Sequence, residues 1–249
     1  MEYNRIINGL PVCAAYSDES VRDIFIPLLE GLDNMQKKAG RRILVMLAAP
    51  PAAGKSTMVS FLQELSRSRG MAPLTAIGMD GFHHYQDYLQ SHSVELDGET
   101  VAMTQVKGSP ISFDLPKLTE RIQRLLREDE CPWPHYDRTL HNPVEGAVTV
   151  SGDIVLLEGN YLLLDEPGWR ELKALADYTV FISADEQDVK ERLVARKAAS
   201  ALPRQEAERF VERSDLRNVR LCLNKRLPAD LCLKMLPNGE YVFDSGKLP

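Results

Sequence analysis

The 249-residue sequence predicts an α/β fold of three layers, a mostly parallel sheet flanked by helices. Short, nearly continuous apolar runs such as ILVMLA at 43–48 and DIVLL at 153–157 suit parallel strands covered on both faces. Helical patterns alternate with these runs, as right-handed crossovers require. The length allows one large domain or two small ones, and no internal repeat or low-complexity linker divides the chain.

The elements follow in order. Residues 6–16 read as a small hairpin around Asn8-Gly9, a favoured tight-turn pair. Residues 17–38 read as a helix, with Val21, Ile24, Phe25, Leu28, Leu29 and Leu32 at helical spacing and Gly40 past its end. Pro27 interrupts that pattern, so a kink or a later start is expected. The strand at 43–48 precedes a helix from Lys55 to about Arg69, and a second strand, 74–79, ends at Asp80. Residues 81–113 are a polar, weakly periodic insert, of a kind more often functional than filler. A helix over 114–127 presents Leu118, Ile122, Leu125 and Leu126 on one face. Beyond the strand at 153–157 come a helix at 166–175, a strand at 178–182, and helices at 185–199 and about 204–224. Strands at 231–235 and 241–243 close the chain, joined by Asn238-Gly239. The expected organisation is an N-terminal hairpin-helix extension over 1–40 packed on a main domain over 41–249.

Composition narrows the function classes. A net charge of −6 gives no broad basic surface, so nucleic acid is not an expected partner. Cys13, Cys131, Cys222 and Cys232 form no C-x-x-C pair and fit no zinc template, which suits reduced thiols. The first residues lack the layout of a signal peptide, and no strongly apolar run approaches the roughly 20 residues that span a bilayer. A cytoplasmic protein without membrane attachment is expected.

The strongest motif is Ala49–Thr57, APPAAGKST. It fits G-x-x-x-x-G-K-[ST] at Gly54, Lys55 and Ser56, with Ala49 in the first glycine position. In such a loop backbone N–H groups wrap phosphates, the lysine neutralises them and the hydroxyl binds Mg²⁺. The helix that follows adds the partial positive charge of its N-terminus. Ala52, Ala53, Gly54, Lys55, Ser56 and Thr57 are therefore expected to hold the phosphates of ATP in a P-loop NTPase fold; the competing account is a chance match on a strand-to-helix turn. In an open parallel sheet the carboxyl ends of the strands line the ligand crevice. Asp80 and Glu158 end their strands there, as a base for an acceptor hydroxyl and a carboxylate for Mg²⁺. Alone, each reads as a turn residue or a solvated strand-end charge. His83, His84, His135 and His141 have no pair at the spacing of a helical zinc site. His84 and Tyr85 are expected in an acceptor pocket because they follow Asp80 closely. Trp133 and Tyr136 suit a pocket wall, and Trp133 suits core packing equally well.

The spacing of APPAAGKST, MDGFHHY, WPHYDRTLHNPVE and IVLLEGNYLLLDE resembles the uridine kinase, phosphoribulokinase and prokaryotic pantothenate kinase superfamily, over about 41–224. Within it, the likeness is to a bacterial branch labelled nucleoside/nucleotide kinase or fructose-transport-system kinase. These motifs are specific for the superfamily and not for its substrate. The resemblance implies that Lys55 contacts the β- and γ-phosphates and that Ser56 ligates Mg²⁺, with Thr57 beside it. It implies Asp80 as the residue that takes the acceptor's proton, and Glu158 as the acidic residue near Mg²⁺. Tyr136, Asp137 and Arg138 match a stretch that closes on the acceptor. Arg192 and Arg196, followed by Lys197, resemble a lid at about 190–205 that brings cations onto the transferring phosphate. Asp188 and Glu191 are near enough in sequence to account for both arginines as surface pairs instead.

The expected activity is that of an ATP:alcohol phosphotransferase acting on a small-molecule hydroxyl acceptor: a nucleoside, a pantothenate-like molecule or a sugar. An ATP-binding regulator without transfer chemistry is one alternative. A guanine-reading N-K-x-D is absent, since Asn224-Lys225-Arg226-Leu227 ends in leucine. A nucleotide-monophosphate kinase is the other alternative. Its pocket needs several arginines, and 81–111 holds none and one lysine, Lys107, which favours an uncharged or weakly charged acceptor. The extension over 1–40 is expected to cover the sheet edge or to build a homodimer contact.

Overall fold

The chain opens on a hairpin, β1 (Glu2–Ile7) with β2 (Leu10–Ala15). In this computed structural model residues 1–7, 9–199 and 202–249 are described; Asn8 of the expected turn and Ser200 and Ala201 of the expected lid lie outside them. The helix expected over 17–38 is divided in three. A short α1 (Asp18–Ser20) starts under Ser17, whose side chain accepts the Ser20 N–H. A π-helical turn, Val21–Phe25, leads into α2 (Ile26–Ala39). The wide turn brings Pro27 into the first turn of α2, where its missing N–H is harmless. Gly40, at φ 61°, closes the helix by donating to the Gln36 carbonyl.

β3 (Ile43–Ala48) is buried along its whole length. It feeds α3 (Lys55–Ser68), which buries Met58, Val59, Phe61, Leu62 and Leu65, and then β4 (Leu74–Gly78). A 3-10 turn, Met79–Phe82, follows, so Asp80 lies two residues beyond the strand it was expected to end. The stretch read as an irregular insert contains α4 (Gln86–Ser91) and a hairpin of β5 (Ser93–Leu96) and β6 (Glu99–Ala102). α5 (Leu115–Leu125) comes next, its N-terminus capped by Asp114. A second hairpin, β7 (Cys131–Asp137) with β8 (Asn142–Val150), was not expected at all. β9 (Ile154–Gly159) and β10 (Tyr178–Ala184) are almost wholly buried. The helix expected at 166–175 is a 3-10 helix over Arg170–Leu175 only. Gly168 adopts φ 84° directly after Pro167, and neither conformation continues an α-helix. α6 (Glu186–Ala198), α7 (Arg204–Phe210), a π turn over Val211–Asp215 and α8 (Leu216–Asn224) precede β11 (Leu231–Met235) and β12 (Tyr241–Gly246).

The chain forms two units, one of residues 1–77 and 152–249, the other of residues 78–151. The first holds a six-stranded sheet in the order β12-β11-β10-β3-β9-β4. β3 is central and runs parallel to β9 and β10; β10 is parallel to β11, and β12 pairs antiparallel at the edge. This is the expected α/β architecture. The N-terminal extension packs on α3. Tyr3 and Tyr16 meet Phe61 with ring centroids 5.3 and 4.5 Å apart, and Tyr3 Oη lies 2.7 Å from Ser60 Oγ. Burying each such ring contributes about 1.5–3 kcal/mol. In the second unit Trp133 is a core residue. Its ring meets Phe82 edge-on at 4.9 Å, and its Nε1–H donates to the Gly78 carbonyl at 2.8 Å.

Candidate active site

Sheet register explains why the phosphate loop meets Glu158. Leu47 lies opposite Glu158 and Ala48 opposite Gly159, so the chain leaves β3 beside that carboxylate. Glu158 lies within β9 and is 7% exposed, not a solvated strand end. Ser56 Oγ donates to its Oε1 at 2.6 Å, and Lys55 Nζ stands 3.9 Å from Oε2. A buried carboxylate needs such partners, because desolvation without them costs several kcal/mol. The first helical backbone bond of α3 runs from Met58 N–H to the Gly54 carbonyl. The amides of Lys55, Ser56 and Thr57 therefore precede the ladder, as an anion site requires. Gly54 takes φ 78° and Ala52 φ 63°. A Cβ on Gly54 would collide with Tyr241 Oη, and that hydroxyl donates to the buried Ala53 carbonyl at 3.0 Å. Ala49 is fully buried and not in the left-handed region, so a methyl replaces the usual glycine there without strain. One hydroxyl and one carboxylate are hard oxygen donors in the small number that Mg²⁺ accepts when phosphates and water complete its shell. Among the described residues no group of three or more His, Cys, Asp or Glu forms a protein-caged metal site.

Arg192 turns away from its own helix. Its Nη1 lies 2.6 Å from Met235 Sδ on β11, and it makes no ion pair among the described residues. Glu191 instead accepts from Gln187. Arg196 follows one turn later on α6, while Lys197 pairs with Asp215 at 3.3 Å and lies 3.7 Å from the centroid of the Phe210 ring. Cys222 donates to the Asn160 carbonyl; burial pushes its thiol up to about 12, which keeps it protonated.

In the second unit Asp80 is half-buried, and its carboxylate makes no hydrogen bond or ion pair among the described residues. Its backbone carbonyl accepts from the His83 N–H and lies 2.8 Å from His83 Nδ1. That partner assigns the proton to Nδ1 and leaves Nε2 as an acceptor. His83 packs against Phe113 in a tilted arrangement, centroids 3.9 Å apart, and meets Tyr136 at 5.1 Å; burial lowers its proton affinity, and the nearby Asp80 opposes that. Tyr136 also lies under the Lys107 ammonium, 5.4 Å from the ring centroid. His84 faces elsewhere, stacked on Tyr88, which stacks on His92. Tyr85 donates to Glu145 at 3.4 Å. Asp137 accepts the N–H groups of Thr139 and Leu140, which lowers its pKa and commits it to the turn; Arg138 in that turn is exposed.

No family model matches the chain. The "Uncharacterized protein YggC" of Escherichia coli (strain K12) is 39% identical over 247 residues, which is 98% of this chain and 100% of that protein. A crystal structure described as a "putative fructose transport system kinase", from Silicibacter sp. TM1040, is 30% identical with a TM-score of 0.70, covering 81% of this chain and 98% of that one. The "Putative uridine kinase C227.14" of Schizosaccharomyces pombe is 27% identical over 206 residues, 80% of this chain and 86% of that protein. The chain belongs to the P-loop kinases of the uridine kinase and phosphoribulokinase superfamily.

For a P-loop kinase, two residues missed by sequence reasoning stand out. Tyr241 braces the loop from β12, yet no local pattern marks it. His83, not its neighbour His84, is the histidine held against Asp80. No helix among the described residues of this kinase is long and apolar enough to cross a membrane.

Proposed function

We propose that this P-loop kinase transfers the γ-phosphoryl group of ATP to a hydroxyl of a small molecule. The observation that supports it most is the cluster of Ser56, Lys55 and Glu158 at the start of α3. Residues Ala52–Thr57 hold the phosphates, and Ser56 and Glu158 offer oxygens to Mg²⁺. When bound, Mg²⁺ neutralises charge on the phosphates. Asp80, whose carboxylate has no partner among the described residues, takes the acceptor hydroxyl's proton as the new O–P bond forms and ADP departs. Arg192 and Arg196 are read as the cations of the lid. His84, Tyr85, Tyr136, Asp137 and Arg138 are read on the acceptor side; the contacts of Tyr136 with His83 and Lys107 support that reading, and Asp137 shapes the turn that carries Arg138.

Relatives named as a uridine kinase and a fructose-transport-system kinase make nucleosides and sugars the first acceptors to try. The test is ADP release from purified protein with Mg·ATP and a panel of nucleosides, pantothenate and sugars. Acceptor-dependent release is expected, and Asp80→Asn should lower it by about 10²–10⁴-fold. Tight ATP binding with no turnover and indifference to Asp80→Asn would identify a regulator instead. Phosphorylation confined to nucleoside monophosphates would identify a nucleotide-monophosphate kinase.

A further inference from the structure

Two cations of the second unit, Lys107 and Arg138, make no ion pair with a carboxylate among the described residues. Lys107 Nζ gives its hydrogen bonds to neutral acceptors, Gln86 Oε1 at 2.8 Å and the His141 carbonyl at 3.3 Å. Arg138 makes no hydrogen bond or ion pair among the described residues. Both charges reach His83 and oppose its protonation, and His83 in turn rests on the Asp80 backbone.

The surrounding structure is built to hold this arrangement. Asn142 Oδ1 accepts the Gln86 N–H at 2.8 Å, which fixes the start of α4 against the β7–β8 hairpin. Asp137 ties down the turn that carries Arg138. His141 takes φ 53°, a left-handed conformation that strains a non-glycine residue, while its carbonyl accepts from Lys107. Two residues beyond Lys107, Ser109 Oγ is buried with no hydrogen-bond partner among the described residues. A half-buried ammonium without a counter-charge bears a desolvation cost that a bound oxyanion offsets and a neutral ligand does not.

We propose that the acceptor is an anion, a hydroxyl-bearing small molecule whose carboxylate or phosphate is held by Lys107 and Arg138 beside Asp80. The fate of its hydroxyl rests on the kinase reading above; the binding of its anionic group does not. Counting cations within 81–111 alone points to a weakly charged acceptor, but that count leaves out Arg138, which the β7–β8 turn carries.

The test uses matched sets on three carbon skeletons: a pentose, a hexose and a nucleoside, each as the neutral compound, its carboxylate and its phosphate. ADP release is measured at fixed Mg·ATP, and thermal stabilisation is measured with an unreactive ATP analogue. At least one anionic member should exceed its neutral partner tenfold in kcat/KM, and the better of the two anions separates carboxylate from phosphate. Lys107→Gln with Arg138→Gln should bring that preference toward one, while Lys107→Arg should retain it. A neutral member used as well as its anionic partners overturns the proposal and leaves the kinase reading standing. If nothing is phosphorylated, the kinase reading fails and stabilisation decides: a shift given by an anionic member and lost in Lys107→Gln supports anion binding, and no shift from any anion overturns it.

Discussion

His83 is held neutral by burial beside a carboxylate that would otherwise favour its charge. Its folded pKa lies below the ordinary 6.5. As pH falls through 6.5 the unfolded chain binds the proton first, so native stability is full above 6.5 and declines below it. Urea midpoints at pH 7.5 and 5.5 check this: the wild type should lose more between them than His83→Gln does. At this scale the phosphate loop was the most legible feature, because Gly54, Lys55 and Ser56 are required by the chemistry itself. Glu158 was legible through its place after an apolar run. His83 was not, since two adjacent histidines look alike until ring packing sends one to Phe113 and the other to Tyr88.

Among the elements, β12 has a task beyond closing the sheet. Tyr241 braces the Ala53 carbonyl, while the Ser20 hydroxyl and the Glu240 carboxylate join the N-terminal extension to the same corner. Tyr241→Phe keeps the ring among Tyr16 and Phe25 but removes the bond to the loop. The expected result is a rise of several-fold in the KM for ATP with a stability loss of about 1 kcal/mol, read from steady-state kinetics and urea unfolding. The sheet strands were legible because apolar runs have one explanation in an α/β chain. The hairpins of the second unit were not. β5 and β6 are four residues each, and Pro132 and Pro134 break the pattern of β7.

For the molecule as a whole, nucleotide binding and folding are linked. Mg·ATP at a hundredfold excess over its Kd should stabilise the native chain by about 2.7 kcal/mol. Lys55→Ala should abolish most of that gain, as a Tm series against ligand concentration will register. The second unit enters after β4 and returns at β9, strands that neighbour each other in the sheet. Apart from α5, that excursion was visible in sequence only as polar, aperiodic composition, because its contacts pair segments far apart along the chain.

The hydrogen bond between Tyr241 and Ala53 joins positions 188 residues apart. During synthesis at roughly 5–20 residues per second, the ribosome makes the loop about 10–40 s before the tyrosine that braces it. The emerging chain therefore carries the phosphate loop without its brace throughout that interval.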